Sequence, residues 1–182
     1  MTFFKTECMI IKAEIISRSY SGVFKEKIYD IESSWNSQDW TFIKFTEVDY
    51  SEWCGQFRGF PKSVQISKKH HIILVLTSDY LFQIDSQTAE LKFFENKHQY
   101  QSLIVTPSDN FLIADYMNIE KISDSIRNKK LIESPIEMDF IEFKSWDNSS
   151  LEFKCDEFIY WDRHYVMEYN DDTETIKIKN FR

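Results

Sequence analysis

Residues 81–93, LFQIDSQTAELKF, line up without a gap on residues 166–178, VMEYNDDTETIKI. In each copy a segment with apolar residues at alternate positions meets a polar cluster and then resumes. Leu81 aligns with Val166, Ile84 with Tyr169, Thr88 with Thr173, Leu91 with Ile176 and Phe93 with Ile178. A period of two puts one face of a segment in a core and the other in water. Two such segments joined by a polar turn make an antiparallel hairpin. A third, longer version is NIEKISDSIRNKKLIE, 118–133, and further strand-like runs cover 40–48, 63–67, 71–85, 102–107 and 110–116. The segment 5–16 also reads as a strand. The pattern predicts an all-β chain built as an antiparallel meander.

The hairpins resemble those of β-propeller repeats, in which apolar-x-apolar-Asp-x-x-Thr-Gly-Glu joins two outer strands. Here Asp85, Thr88 and Glu90 keep that pattern, while Ala89 and Glu174 stand where the resemblance calls for glycine. The resemblance implies propeller-like hairpin repeats at about 63–95, 100–133 and 136–180, within a single domain spanning 1–182. A β-sandwich is the alternative architecture. The stretch SEWCGQFRGFP, 51–61, holds two of only three glycines. Gly55 and Gly59 provide for positive φ or close backbone approach. The stretch reads as a wide connection whose Trp53, Phe57 and Phe60 plug one end of the core. The other reading makes it a contact loop from which Trp53 and Arg58 protrude, as hot-spot residue types do.

Catalytic and cofactor signatures are missing from the sequence. There is no P-loop, GxGxxG, HExxH or GxSxG, and no glycine-rich cradle for a phosphate. Cys8, Cys54 and Cys155 are odd in number and widely spaced, which fits reduced thiols better than a disulfide framework or a zinc site. His70 and His71 are adjacent and would point to opposite faces of a strand. Asp162 and His164 would share a face, and an Asp–His pair can orient a general base. Without a nucleophile they read as a surface pair, so the expectation is a protein that is not an enzyme and uses neither cofactor nor metal. No apolar run is long enough to span a bilayer, and the N-terminus lacks the pattern of a signal peptide. A cytoplasmic protein is expected.

Charge supplies the functional expectation. The net charge is −8, and its distribution is uneven: residues 131–182 carry 13 acidic and 6 basic side chains, residues 1–130 carry 17 and 16. Such a region repels nucleic acid and anionic membrane and attracts a basic protein. Aromatics are interleaved there with carboxylates, and aromatic anchors with a charged rim suit protein capture. The expected contact residues are Trp146, Asp147, Asp156, Glu157, Trp161, Asp162, Tyr165, Glu168, Asp171 and Asp172. This profile resembles the bacterial immunity proteins of polymorphic toxin systems, small acidic proteins of the cytoplasm that block a cognate toxin domain, often a basic nuclease. The resemblance implies a basic toxin domain as partner and an inhibitory, non-enzymatic role. Two alternatives stand beside it: a propeller-like scaffold module using Trp53 and Arg58, and an unrecognised hydrolase with a carboxylate or Asp162–His164 site.

Overall fold

A computed structural model of the chain describes residues 9–18, 22–31 and 37–181, without the side chains of Trp161 and Phe181. Cys8 and the first part of the segment 5–16 lie outside those residues. The described residues form sixteen strands in four separate four-stranded sheets. The all-β, antiparallel expectation is met. Each sheet is open at both edges. The chain divides into two compact units, Met1–His98 and Gln99–Arg182.

Unit 1 holds two sheets. The first contains β1 (Ile10–Ile16), β2 (Lys25–Tyr29), β3 (Trp40–Glu47) and β4 (Glu52–Arg58) in the order β1-β3-β4-β2. Strand β2 crosses to the far edge and runs parallel to β4. The second is a meander of β5 (Pro61–Ser67), β6 (Ile72–Thr77), β7 (Leu81–Asp85) and β8 (Leu91–Glu95). Strict alternation along β3 sends Thr41, Ile43 and Phe45 inward. Strand β6 is buried on both faces, which matches its continuous apolar sequence. One core joins the sheets: Phe57 stacks on Tyr29 at 4.6 Å and meets Phe82 edge-on at 5.2 Å.

The 51–61 stretch is corrected by this arrangement. It forms β4 and the start of β5 with a tight corner between them, so no wide loop exists there. Trp53 is 8% exposed and packs on Phe45, with ring centroids 4.5 Å apart. It does not protrude. Phe57 is fully buried as expected, but Phe60 is 61% exposed and plugs nothing. The two glycines divide the work foreseen for them. Gly59 has φ +102° and lies against the Thr77 side chain, whereas a Cβ at Gly55 would stand 2.6 Å from the Phe45 ring.

Unit 2 is two meanders. The first runs through β9 (Ser102–Val105), β10 (Phe111–Ala114), β11 (Ile119–Ile122) and β12 (Lys129–Ile132), and the second through β13 (Met138–Asp147), β14 (Ser150–Glu157), β15 (Tyr160–Asn170) and β16 (Thr175–Phe181). A four-stranded antiparallel meander is the topology of a propeller blade. Face-to-face packing over one core is also that of a sandwich. Leu112, Ala114, Ile119 and Ile132 of the first sheet share a core with Leu151, Phe153, Met167 and Tyr169 of the second.

The aligned hairpins have the same local physics. Asp85 Oδ1 accepts the backbone N–H groups of Gln87 and Thr88, and Asn170 Oδ1 accepts that of Thr173. Ala89 and Glu174, the residues in the glycine position, have φ +55° and +53°. Both hairpins therefore adopt the left-handed conformation that glycine would supply without steric cost.

Candidate functional site

The strands of unit 2 bring three connections to one end. These are the turn 115–118 between β10 and β11, the link 133–137 between β12 and β13, and the hairpin 158–159 between β14 and β15. In the first, Asp115 Oδ1 accepts the N–H groups of Met117 and Asn118 at 2.9 and 2.8 Å. This turn leaves Tyr116 and Met117 exposed at its tip. The second and third connections are tied together, because Phe158 N–H donates to the Glu137 carbonyl at 2.9 Å. An open cavity of about 390 Å³ lies there, lined by Met117, Leu131, Ile136, Met138 and Phe158, with Glu133 and Glu137 beside it.

Two apolar residues at this end sit on unfavourable backbone. Glu157 pairs with Tyr160, so Phe158 and Ile159 form a two-residue hairpin loop. Ile159 has φ +74° and is 70% exposed. Positive φ is a genuine outlier for a β-branched residue. Phe140 has φ +51° and is 62% exposed where the β13–β14 ladder is interrupted between Asp139 and Glu142. Tyr116 packs edge-on against Phe140 at 5.8 Å.

The carboxylates here fall into two groups. Glu157 accepts Arg163 at 3.0 Å and the Tyr165 hydroxyl at 2.9 Å. The Arg163 hydrogen bond, then that of Tyr165, holds its carboxyl below the ordinary range. Asp156 is 2.6 Å from His164 Nδ1 across the ladder. Glu133, Glu137, Asp139 and Asp162 make no ion pair among the described residues. Asp139 stands directly opposite Asp156 in the ladder, a like-charge placement that disfavours folding unless a cation intervenes.

The ten residues expected as a contact face are not brought together. Asp156, Glu157, Asp162 and Tyr165 lie near this apolar end. The side chain of Trp161 is outside the described residues. Asp147, Asp171 and Asp172 belong to the opposite end, among the β13–β14 and β15–β16 turns. Trp146 is half-buried against Tyr169, and its indole N–H has no partner among the described residues. Asp171 is buried: it accepts the Ser108 N–H at 2.9 Å and lies 3.5 Å from the Tyr169 hydroxyl. Glu168 faces Glu152 and Lys177 along the sheet. The other expected contact, Arg58, is committed internally: it pairs with Asp30 at 2.7 Å, donates to the Ser37 carbonyl at 3.1 Å and lies 4.1 Å over Trp40.

The Asp162–His164 pairing is also corrected. His164 takes Asp156 instead, in an exposed depression of about 350 Å³ lined by Phe140, Glu142 and Lys154. The nearby Cys155 is buried, and burial with the Asp156 charge pushes its thiol up to about 12. Such a thiol is a poor nucleophile. Among the described residues no group of three His, Cys, Asp or Glu side chains is placed to hold a metal ion. Nor does any helix of those residues have the length and apolarity to cross a membrane.

Sequence reasoning missed Tyr116, Met117, Glu133, Glu137, Asp139, Phe140 and Ile159. One signal was available. Glu157-Phe-Ile-Tyr160 turns the chain without Gly, Asn, Asp, Ser or Pro, whereas an ordinary two-residue hairpin uses them. No protein-family model matches the chain, and no curated protein matches it at a significant level.

Proposed function

We propose that the protein is a non-enzymatic acidic binding protein that captures a basic protein at the apolar end of unit 2, in the manner of immunity proteins that block a toxin domain. One observation carries the reading. Phe140, Ile159, Tyr116 and Met117 are exposed beside Glu133, Glu137, Asp139 and Asp162, which have no ion-pair partner among the described residues. Apolar anchors exclude water, and flanking charges steer encounter and select the sign of the partner. Carboxylates in a nuclease's cationic cleft would occupy the places of substrate phosphates. The excess charge of residues 131–182 supports the same direction of attraction.

Co-expression tests this function. A basic toxic domain encoded beside this chain should arrest growth alone and be tolerated with it, and the two should co-purify in a salt-sensitive complex. Growth arrest that persists despite abundant folded protein overturns the inhibitory role.

A further inference from the structure

We propose that Ile159 is a preformed apolar anchor, held out by left-handed backbone to enter an apolar cleft flanked by arginine or lysine on a basic protein; this rests on the function proposed above. The fold itself does not call for isoleucine at this position. The second residue of a two-residue hairpin with positive φ is most easily glycine or asparagine. A β-branched side chain there costs stability, and at 70% exposure it recovers little by burial. Phe140 repeats the arrangement nearby, with φ +51° and 62% exposure. A fixed backbone presents such a side chain already ordered, which lowers the entropy lost on docking.

The charge around the anchor identifies the occupant. Glu133, Glu137, Asp139 and Asp162 have no ion-pair partner among the described residues, and Asp139 directly faces Asp156. Asp156 is already bonded to His164 Nδ1 and Asp139 accepts the Phe140 N–H, so the charge left for a cationic surface is that of the four carboxylates without an ion pair. A second copy of this chain would bring the same negative rim against itself, and a nucleic acid would be repelled.

Two end-blocked peptides serve as probes, Arg-Lys-Leu-Phe-Lys-Arg and its equally charged analogue with serine for Leu and Phe. Amide NMR shifts should localise the first to residues 115–118, 133–140 and 157–163, with affinity about tenfold above the serine analogue. Ile159→Asn should remove most of that difference while raising the thermal midpoint by a few degrees, since asparagine tolerates the conformation. A lowered midpoint would make Ile159 a structural residue and overturn the proposal. So would equal binding of the two peptides, shifts centred at the opposite end of the sheets, or no shift with either. Equal binding that Lys substitutions of the four carboxylates abolish would remove the anchor yet leave the acidic capture reading standing. Concentration-dependent self-association that Ile159→Asn abolishes would assign the anchor to a second copy and overturn the basic partner.

Discussion

The two ends of unit 2 solve the same geometric problem with opposite chemistry. Both must turn the chain, and both use positive φ outside glycine. At the β13–β14 and β15–β16 end the positions with φ +67°, +52° and +53° are Asp109, Asn148 and Glu174. Their surroundings are saturated with local hydrogen bonds: Thr106 to Ser108, Asn110 to Ser108, Ser108 to Asp171 and Thr173 to Asn170. At the other end the positions are Phe140 and Ile159, both exposed, near Glu133, Glu137, Asp139 and Asp162, which make no ion pair among the described residues. The first end answers its turn backbone with polar side chains, although Asp147 and Asp172 there make no ion pair among the described residues either. The second differs in its exposed apolar area, with Phe140 and Ile159 in water beside carboxylates.

The largest expected effect sets the ends against each other. Replacing Glu133, Glu137, Asp139 and Asp162 together by Lys should weaken capture of a basic protein by about a hundredfold or more, measured by calorimetry at low salt. Replacing Asp147 and Asp172 by Lys should change it by less than about threefold. Equal losses would dissolve the distinction between the ends and leave only net charge.

Next in size is Asp171→Ala. It removes the acceptor of the part-buried Ser108 N–H and of the buried Tyr169 hydroxyl, so denaturant unfolding should show a loss of about 1–2 kcal/mol. Binding should be unchanged. Weakened binding at undiminished stability would make the polar end functional after all.

The smallest effect is a pH dependence. Hydrogen bonds from Lys121, then Lys130, hold the Glu174 carboxyl below its ordinary value of 4.5. Its folded value is therefore lower than its unfolded one. The stability it contributes is complete above about 4.5 and is lost as pH falls through the lower folded value. Glu174→Gln should flatten the acid side of a thermal-midpoint-against-pH curve. An unchanged curve would show that this tie between β16's turn and β11–β12 adds nothing measurable.

Much of the fold was legible because strands announce themselves locally. Alternation along 81–93 and 166–178 named both hairpins, and the polar clusters between the alternating segments marked their turns. The candidate site was less legible. Glu152, Glu157 and Glu174 look alike in sequence to Glu133 and Glu137, yet Lys179, Arg163 and Lys121 neutralise the first three. Asp171 looked like surface charge and is an interior acceptor. Trp53 read as a core plug or, alternatively, as a contact, and it is core.

The sequence by itself determined an all-β chain of hairpins with its negative charge concentrated toward the C-terminus, because period, turn chemistry and charge are properties of neighbouring residues. Only the tertiary structure decided which carboxylates find an ion pair among the described residues and which apolar residues stay in water. Those outcomes depend on strands distant in sequence that bring cations to some acids and leave Phe140 and Ile159 uncovered.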